Sequence, residues 1–221
     1  MSHASIIAAS EFFSGANPSI IEAIAARADE RTLVRGDVLF KEGDTPDALY
    51  IVLYGRIAIA IDNKPLDNRE SVVALMIEGD LFGDLALLDG GARSALARAL
   101  EPSRVLRIPY SAVLPQLQTN PDLLWGVTKV LAKRLRAMDE ALADSVFLDV
   151  TGRTAKRLLE LSNGDDEFTL PVTQEELAGM VGASRERVNK AIASFIKLGW
   201  LEQQDRHYVI LKRPSLEQRS K

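Results

Sequence analysis

Two short stretches of this chain carry residue types that packing alone does not ask for. The first is FGDLALLDGGARSA, residues 82–95. It places a Gly-acid pair, Gly83 and Asp84, before an apolar run and a Gly-Gly, and closes on Arg93 and Ser94. A small anion needs a cation and oriented donors, and this loop offers both. The alternative is an unliganded turn in which Arg93 pairs with Asp84 or Asp89. The second stretch is SRERVNKAIASFIKLG, residues 184–199. At 100° per residue, Val188, Ala191, Ile192, Phe195 and Leu198 fall between about 220° and 340° from Arg185. Arg185, Glu186, Asn189, Lys190 and Ala193 fall between about 0° and 140°, with Ile196 the exception at about 20°. Arg and Lys can donate to guanine O6 and N7, Glu can accept from cytosine N4, and Asn can pair with adenine. An ordinary solvated helix face would carry the same residue types.

The elements needed to position these residues can be read around them. Thr173 stands three residues before Glu176 as a capping box, and Val181-Gly182-Ala183-Ser184 forms a tight turn in which Ser184 caps the next helix. WLEQQDRHYVIL then reads as a two-stranded hairpin, with Arg206 near its tip and Lys212-Arg213 just after it. This helix–turn–helix with a wing points to double-stranded DNA, the wing cations meeting phosphates. Helical spacing also marks residues 10–30, and a helix is expected over 153–162 with FTLPV as a short strand.

From 31 to 110 the texture is β-branched and aromatic: TLVRGDVLF, ALYIVLYGRIAIAI, SVVALMI and RVLRIPY. Gly-Asp recurs at 36–37, 43–44, 79–80 and 83–84, a turn pair in which Gly takes positive φ and Asp bonds nearby backbone. Many short strands with such turns imply an antiparallel barrel or jelly roll. After Asn120-Pro121, Leu124, Thr128, Leu131, Leu135, Met138, Leu142 and Ser145 alternate at four and three, a heptad seam that one helix cannot bury by itself. A parallel two-helix homodimer is therefore expected. LDVTGR, 148–153, reads as a hinge with a helix starting at Thr151.

Composition bounds the chemistry. The 221 residues contain no cysteine, which excludes disulfides, thiolate iron–sulfur clusters and cysteine zinc sites. His3 and His207 are the only imidazoles, a poor supply for metal, haem or general-base chemistry. Asp84 and Asp89 could be offered as paired carboxylates, but no histidine, cysteine nucleophile or metal cluster supports them, so no enzyme is expected. Residues 151–221 hold 12 basic and 10 acidic side chains against 15 and 21 in residues 1–150, so only the C-terminal part leans towards a polyanion. No run approaches a membrane span and the N-terminus lacks signal-peptide character, so a cytoplasmic protein is expected.

Taken together and in order, GDLFGDLALLDGGARSA, NPDLLWGVTKVLAKRLRAMDEALADSVFLDVTGR and TQEELAGMVGASRERVNKAI resemble the CRP/FNR superfamily of bacterial transcription regulators along nearly the whole chain. The resemblance implies an α+β protein: an N-terminal antiparallel β-roll (jelly-roll) cyclic-nucleotide domain over 1–119, a dimerisation helix over 120–147, and a C-terminal winged helix-turn-helix over 148–221. It implies no cofactor, but an effector, cAMP or cGMP. Arg93 would pair with its phosphate, Ser94 would bond it, and amides near Gly83, Leu85 and Ala86 would complete the cradle. Asp84 stands where cAMP binders carry Glu for the ribose 2′-hydroxyl and is one methylene shorter. The cassette is one residue shorter than in enteric cAMP-binding members, and Met138-Asp139 replace the Thr-Ser pair that touches adenine there. Arg185 and Glu186 match base-reading positions, Lys190 stands in place of Arg, and Thr173 and Gln174 match phosphate clamps. The implied partners are a palindromic operator with TGTGA-like half-sites, a second copy of the chain and RNA polymerase.

Overall fold

The computed structural model describes residues 1–62 and 70–221, which form two compact units, Met1–Arg136 and Ala137–Lys221. The first opens with α1 (His3–Ala9), a single 3-10 turn at Glu11–Phe13 and α2 (Pro18–Ala25). Eight strands follow: β1 (Asp29–Leu33), β2 (Val38–Phe40), β3 (Ala48–Tyr54), β4 (Ile57–Asp62), β5 (Glu70–Met76), β6 (Leu81–Phe82), β7 (Leu96–Ala99) and β8 (Ser103–Pro109). Helix α3 (Leu85–Asp89) lies between β6 and β7, and α4 (Tyr110–Thr119) follows β8. Helix α5 (Pro121–Phe147) begins in this unit and ends in the second.

The strands form two four-stranded antiparallel sheets, β1-β8-β3-β6 and β2-β7-β4-β5, the expected β-roll. Side chains alternate across a strand, and β3 uses both faces. Ala48, Tyr50 and Val52 join Ile57, Phe82, Ala97 and Val105 in the core of the roll. Leu49 and Ile51 instead join Leu106, Ile108, Phe12, Ile24, Val113, Leu123 and Val127, where the helices cover the sheet. Three of the four Gly-Asp turns share one device. Gly36, Gly43 and Gly79 take positive φ, and the carboxylates of Asp37, Asp44 and Asp80 accept from the amides of Val34, Lys41 and Ile77 at 2.9, 2.8 and 2.8 Å.

The second unit continues from α5 into α6 (Val150–Leu161), β9 (Glu167–Thr169), α7 (Gln174–Val181), α8 (Arg185–Lys197), β10 (Leu201–Gln204), β11 (His207–Ile210) and α9 (Arg213–Arg219). The strands form an antiparallel sheet in the order β10-β11-β9. Val188, Ala191, Ile192 and Phe195 are buried as their spacing implies. Leu198 is 54% exposed instead, because it is the C-cap where the helix ends.

The structure differs from the pattern reading in other places as well. The helical stretch expected over 10–30 breaks into the 3-10 turn and α2, and Asp29 already pairs in β1. Helix α6 starts at Val150, one residue before Thr151, because Asp149 caps it. The strand in FTLPV stops at Thr169. Helix α9 carries a Pro near its start and a short apolar pattern, and gave no periodic signal.

Candidate effector cradle and nucleic-acid interface

The loop leaving β6 turns at Gly83, runs through α3 and returns to β7 past Arg93. Gly83 has φ +79°, and a Cβ there would stand 2.8 Å from Arg93 Nη1. Only glycine lets the guanidinium approach this close. The Arg93 backbone is pinned at both ends, its N–H donating to Asp44 O at 3.0 Å and its O accepting from Gly43 at 2.8 Å.

The Arg93 side chain points inward and is 3% exposed. Nη1 donates to Gly83 O at 2.9 Å and to Tyr110 Oη at 3.0 Å; Nη2 donates to Ala48 O at 2.7 Å. Tyr110 Oη in turn donates to Gly83 O. The guanidinium carbon sits 4.1 Å from the centroid of Phe40 and 5.7 and 5.5 Å from those of Tyr50 and Tyr110. Nε is buried with no acceptor. The nearest carboxylate is Asp47, at 3.6 Å, neither Asp84 nor Asp89. Asp47 is itself exposed and engaged by Arg107 at 2.5 Å. The result is a buried cation held by carbonyl dipoles and ring faces and only partly neutralised. Burial pushes the Tyr110 phenol up to about 12 and raises that of Tyr50, so both rings stay uncharged beside the guanidinium.

Asp84 is 2% exposed and is taken by an arginine of α5. Arg134 Nη1 donates to Oδ1 at 2.9 Å and Oδ2 at 2.7 Å, and Nη2 donates to Leu81 O at 2.9 Å. Asp89 is exposed and accepts from the Gly91 amide at 2.8 Å. Leu85 and Ala86 open α3, where amides have no intrahelical acceptor. Leu85 and Ser94 are exposed and Ala86 is buried. The structure thus brings Gly83, Asp84 and Arg93 to one place and leaves Ser94 at its surface. Met138 and Asp139 are exposed on the part of α5 that belongs to the second unit. Phe40, Asp47, Tyr50, Tyr110 and Arg134 also build the cradle, and no local motif announced them.

In the second unit the capping box forms: Glu176 N donates to Thr173 Oγ1 at 3.2 Å and Thr173 N to Glu176 Oε2 at 2.7 Å. Ser184 caps α8 through the Arg187 amide at 3.4 Å. Arg185, Glu186, Asn189 and Lys190 are all exposed on one face of α8. Glu186 and Lys190 pair at 2.7 Å, which holds the Glu186 carboxyl below its usual range. Both side chains are at least 75% exposed, so the pair is screened and easily opened. Gln174 turns to the wing: Nε2 donates to Tyr208 Oη at 2.6 Å, while Oε1 is buried without a partner. Arg206 lies at the hairpin turn, with Nη2 donating to Leu170 O at 2.7 Å. Arg213 is likewise engaged, by Asp166 at 2.7 Å. No helix among the described residues is long and apolar enough to cross a membrane.

Comparison with known proteins agrees with this division. Residues 30–120 match the cyclic nucleotide-binding domain and residues 152–219 the Crp-like helix-turn-helix domain. A CRP-like cAMP-activated global transcriptional regulator of Mycobacterium tuberculosis is 34% identical over 98% of this chain and 99% of its own length. Among solved structures, the c-di-GMP responsive global regulator CLP of Xanthomonas campestris superposes with a TM-score of 0.74 at 26% identity, over 88% of this chain and 99% of that one. FixK2 of Bradyrhizobium japonicum shares the fold at TM-score 0.78 and 20% identity, over 88% and 98%.

Proposed function

Because this chain belongs to the CRP family of transcription regulators, which are not enzymes, we propose that it is a homodimer whose grip on a palindromic operator is set by a cyclic nucleotide, cAMP or cGMP, in the β-roll. The observation that carries the reading is the Arg93 guanidinium, buried among Phe40, Tyr50 and Tyr110 with Nε unsatisfied. A cyclic phosphate entering there would supply the missing anion, replacing the bonds to Gly83 O and Ala48 O. Ser94, at the surface of the loop, and the amides of Leu85 and Ala86 would complete the cradle, and Asp84, once released by Arg134, would accept from the ribose. Met138 and Asp139 would bear on the base.

The dimer follows from α5. Leu135, Met138 and Leu142 are 61%, 68% and 64% exposed along one stripe, and a second α5 would cover them. Two recognition helices about 34 Å apart would then meet successive turns of DNA. Arg185, Glu186, Asn189 and Lys190 would read bases in TGTGA-like half-sites, and Thr173, Gln174, Ser184 and Arg206 would lie against the backbone. RNA polymerase is the expected further partner, in the cytoplasm.

A second reading has its own observation. Arg93 already turns both Nη groups to the protein's own carbonyls, and Asp84 is occupied by Arg134. A constitutive operator binder with a filled cradle would look like this. Calorimetric titration with cAMP and with cGMP, beside fluorescence anisotropy on operator DNA, separates the two. Gating requires that a nucleotide bind and tighten operator binding, and that Arg93→Ala abolish both. Unchanged DNA affinity with every nucleotide would leave only the constitutive regulator.

A further inference from the structure

Helix α6 is held at both ends by arginines of the C-terminal helix. At its start, Asp149 accepts from the Gly152 amide at 2.8 Å as the N-cap, and the same carboxylate accepts from Arg219 Nη2 at 2.5 Å. At its end, Arg213 Nε donates to Asp166 at 2.7 Å, and Nη2 donates to Asp165 O at 2.6 Å and to Oγ of the C-cap Ser162 at 3.4 Å. Arg213 is the first residue of α9 and Arg219 the last, so α9 runs antiparallel along α6. Between the two, Leu216 is fully buried. Gly152 makes room for this seat: a Cβ there would stand 3.0 Å from Arg219 O and 3.1 Å from its Nη1. The next residue, Arg153, ties the end of the hinge to the turn before the recognition helix. Its Nη1 donates to Leu148 O at 2.6 Å and its Nε to Val181 O at 2.8 Å.

We propose that α9 is a strap, and that Arg219 is a positioning residue for DNA reading: it fixes the first turn of α6, from which Arg153 holds the turn that presents α8. Leu216 supplies the anchorage and the two arginines set the register. The Asp149 carboxyl is held below its usual range, by the Gly152 amide first and Arg219 after it, so it is charged and paired at neutral pH. The second half of the inference, its effect on DNA, rests on the operator-binding reading above.

The test compares full-length wild type, Arg219→Gln and Arg219→Lys. Amide hydrogen exchange is measured beside anisotropy on a duplex with two TGTGA half-sites and on a scrambled duplex. Arg219→Gln is expected to speed exchange at Gly152, Arg153 and the 182–184 turn about tenfold. It is also expected to lower preference for operator over scrambled DNA about threefold, with Arg219→Lys restoring both. Unchanged exchange in Arg219→Gln overturns the strap. So does unchanged exchange with equal loss on both duplexes, which would make Arg219 a simple phosphate contact. If the wild type shows no preference for the operator, the DNA reading fails, and exchange alone decides the strap.

Discussion

At the residue scale, Arg93 is buried and held by two carbonyls, a tyrosine hydroxyl and a phenylalanine face at once. A buried guanidinium without a full counter-charge is costly, and here carbonyl dipoles, one tyrosine hydroxyl and a phenylalanine face share that cost. Tyr110 is its closest side-chain partner, at 3.0 Å, and this suggests a test in alkali. Its phenol is raised from the ordinary 10 to about 12, first by burial. The neutral form is the one the fold prefers. Its contribution is therefore fully present below pH 10 and is lost as pH rises through about 12. Wild type should lose stability between those pH values more steeply than Tyr110→Phe, measured as urea midpoints at each pH. At neutral pH the same substitution should cost about 1 kcal/mol, for the hydrogen bonds it removes. Parallel pH curves for the two proteins would show that this phenol ionises as freely in the fold as outside it. Asp84 illustrates the opposite situation: a buried carboxylate whose partner, Arg134, satisfies both oxygens.

At the element scale, the stripe along α5 is the feature that the single chain does not bury. Trp125 and Phe147 lie outside the heptad stripe, at 62% and 82% exposure, whereas Leu135 lies near its centre. Covering a leucine of this kind stabilises by about 1.5–3 kcal/mol. Leu135→Arg should therefore convert a dimer into a monomer in analytical ultracentrifugation, with far-UV circular dichroism unchanged, because Leu135 is 61% exposed in the single chain. Operator affinity should fall with it, since two half-sites would no longer be bound as one ligand. A dimer that persists in Leu135→Arg would move the interface off this helix. The helix-turn-helix is specified more locally. Thr173 and Ser184 cap their helices through bonds that span three residues, and Gly182, at φ 68°, closes α7.

At the whole-molecule scale, gating requires that the nucleotide prefer one state of the dimer, since a ligand with equal affinity for both shifts nothing. The cradle holds Arg93 and Asp84 in internal pairs, so a nucleotide entering it would have to exchange those pairs for new ones. The apparent affinity is then reduced by the fraction of molecules in which the pairs are open. A ligand at a hundred times its dissociation constant would still stabilise the folded cradle by about 2.7 kcal/mol. In a calorimetric melt, cAMP or cGMP at that excess should raise the transition of the β-roll unit by several degrees and leave Arg93→Ala unmoved. An equal rise in Arg93→Ala would place the ligand elsewhere.

Much of this was legible in the chain itself, and the legible parts are those encoded within a few residues. Gly-Asp turns, the capping box at Thr173, the tight turn at Gly182 and the four-three spacing on α5 each close their own geometry locally, so period and turn chemistry reveal them. The order of the three motifs carried the family. What remained open depends on which distant segments become neighbours. Arg93 could have paired with Asp84 or Asp89 close by. It bonds instead to Ala48, 45 residues away, because β3 passes beneath the loop, and Asp84 goes to Arg134, 50 residues away, on a helix packed over the roll. Gln174, placed on the DNA face by resemblance, and Arg206, placed there by the hairpin reading, also hold the wing and the segment between β9 and α7. The seat of α9 on α6 had no signal at all, since a seven-residue helix shows too little period and its arginines find carboxylates only once the fold has brought them together. Short-range geometry is written in residue order, whereas a side-chain donor pairs with whichever acceptor the packed sheets and helices bring within reach.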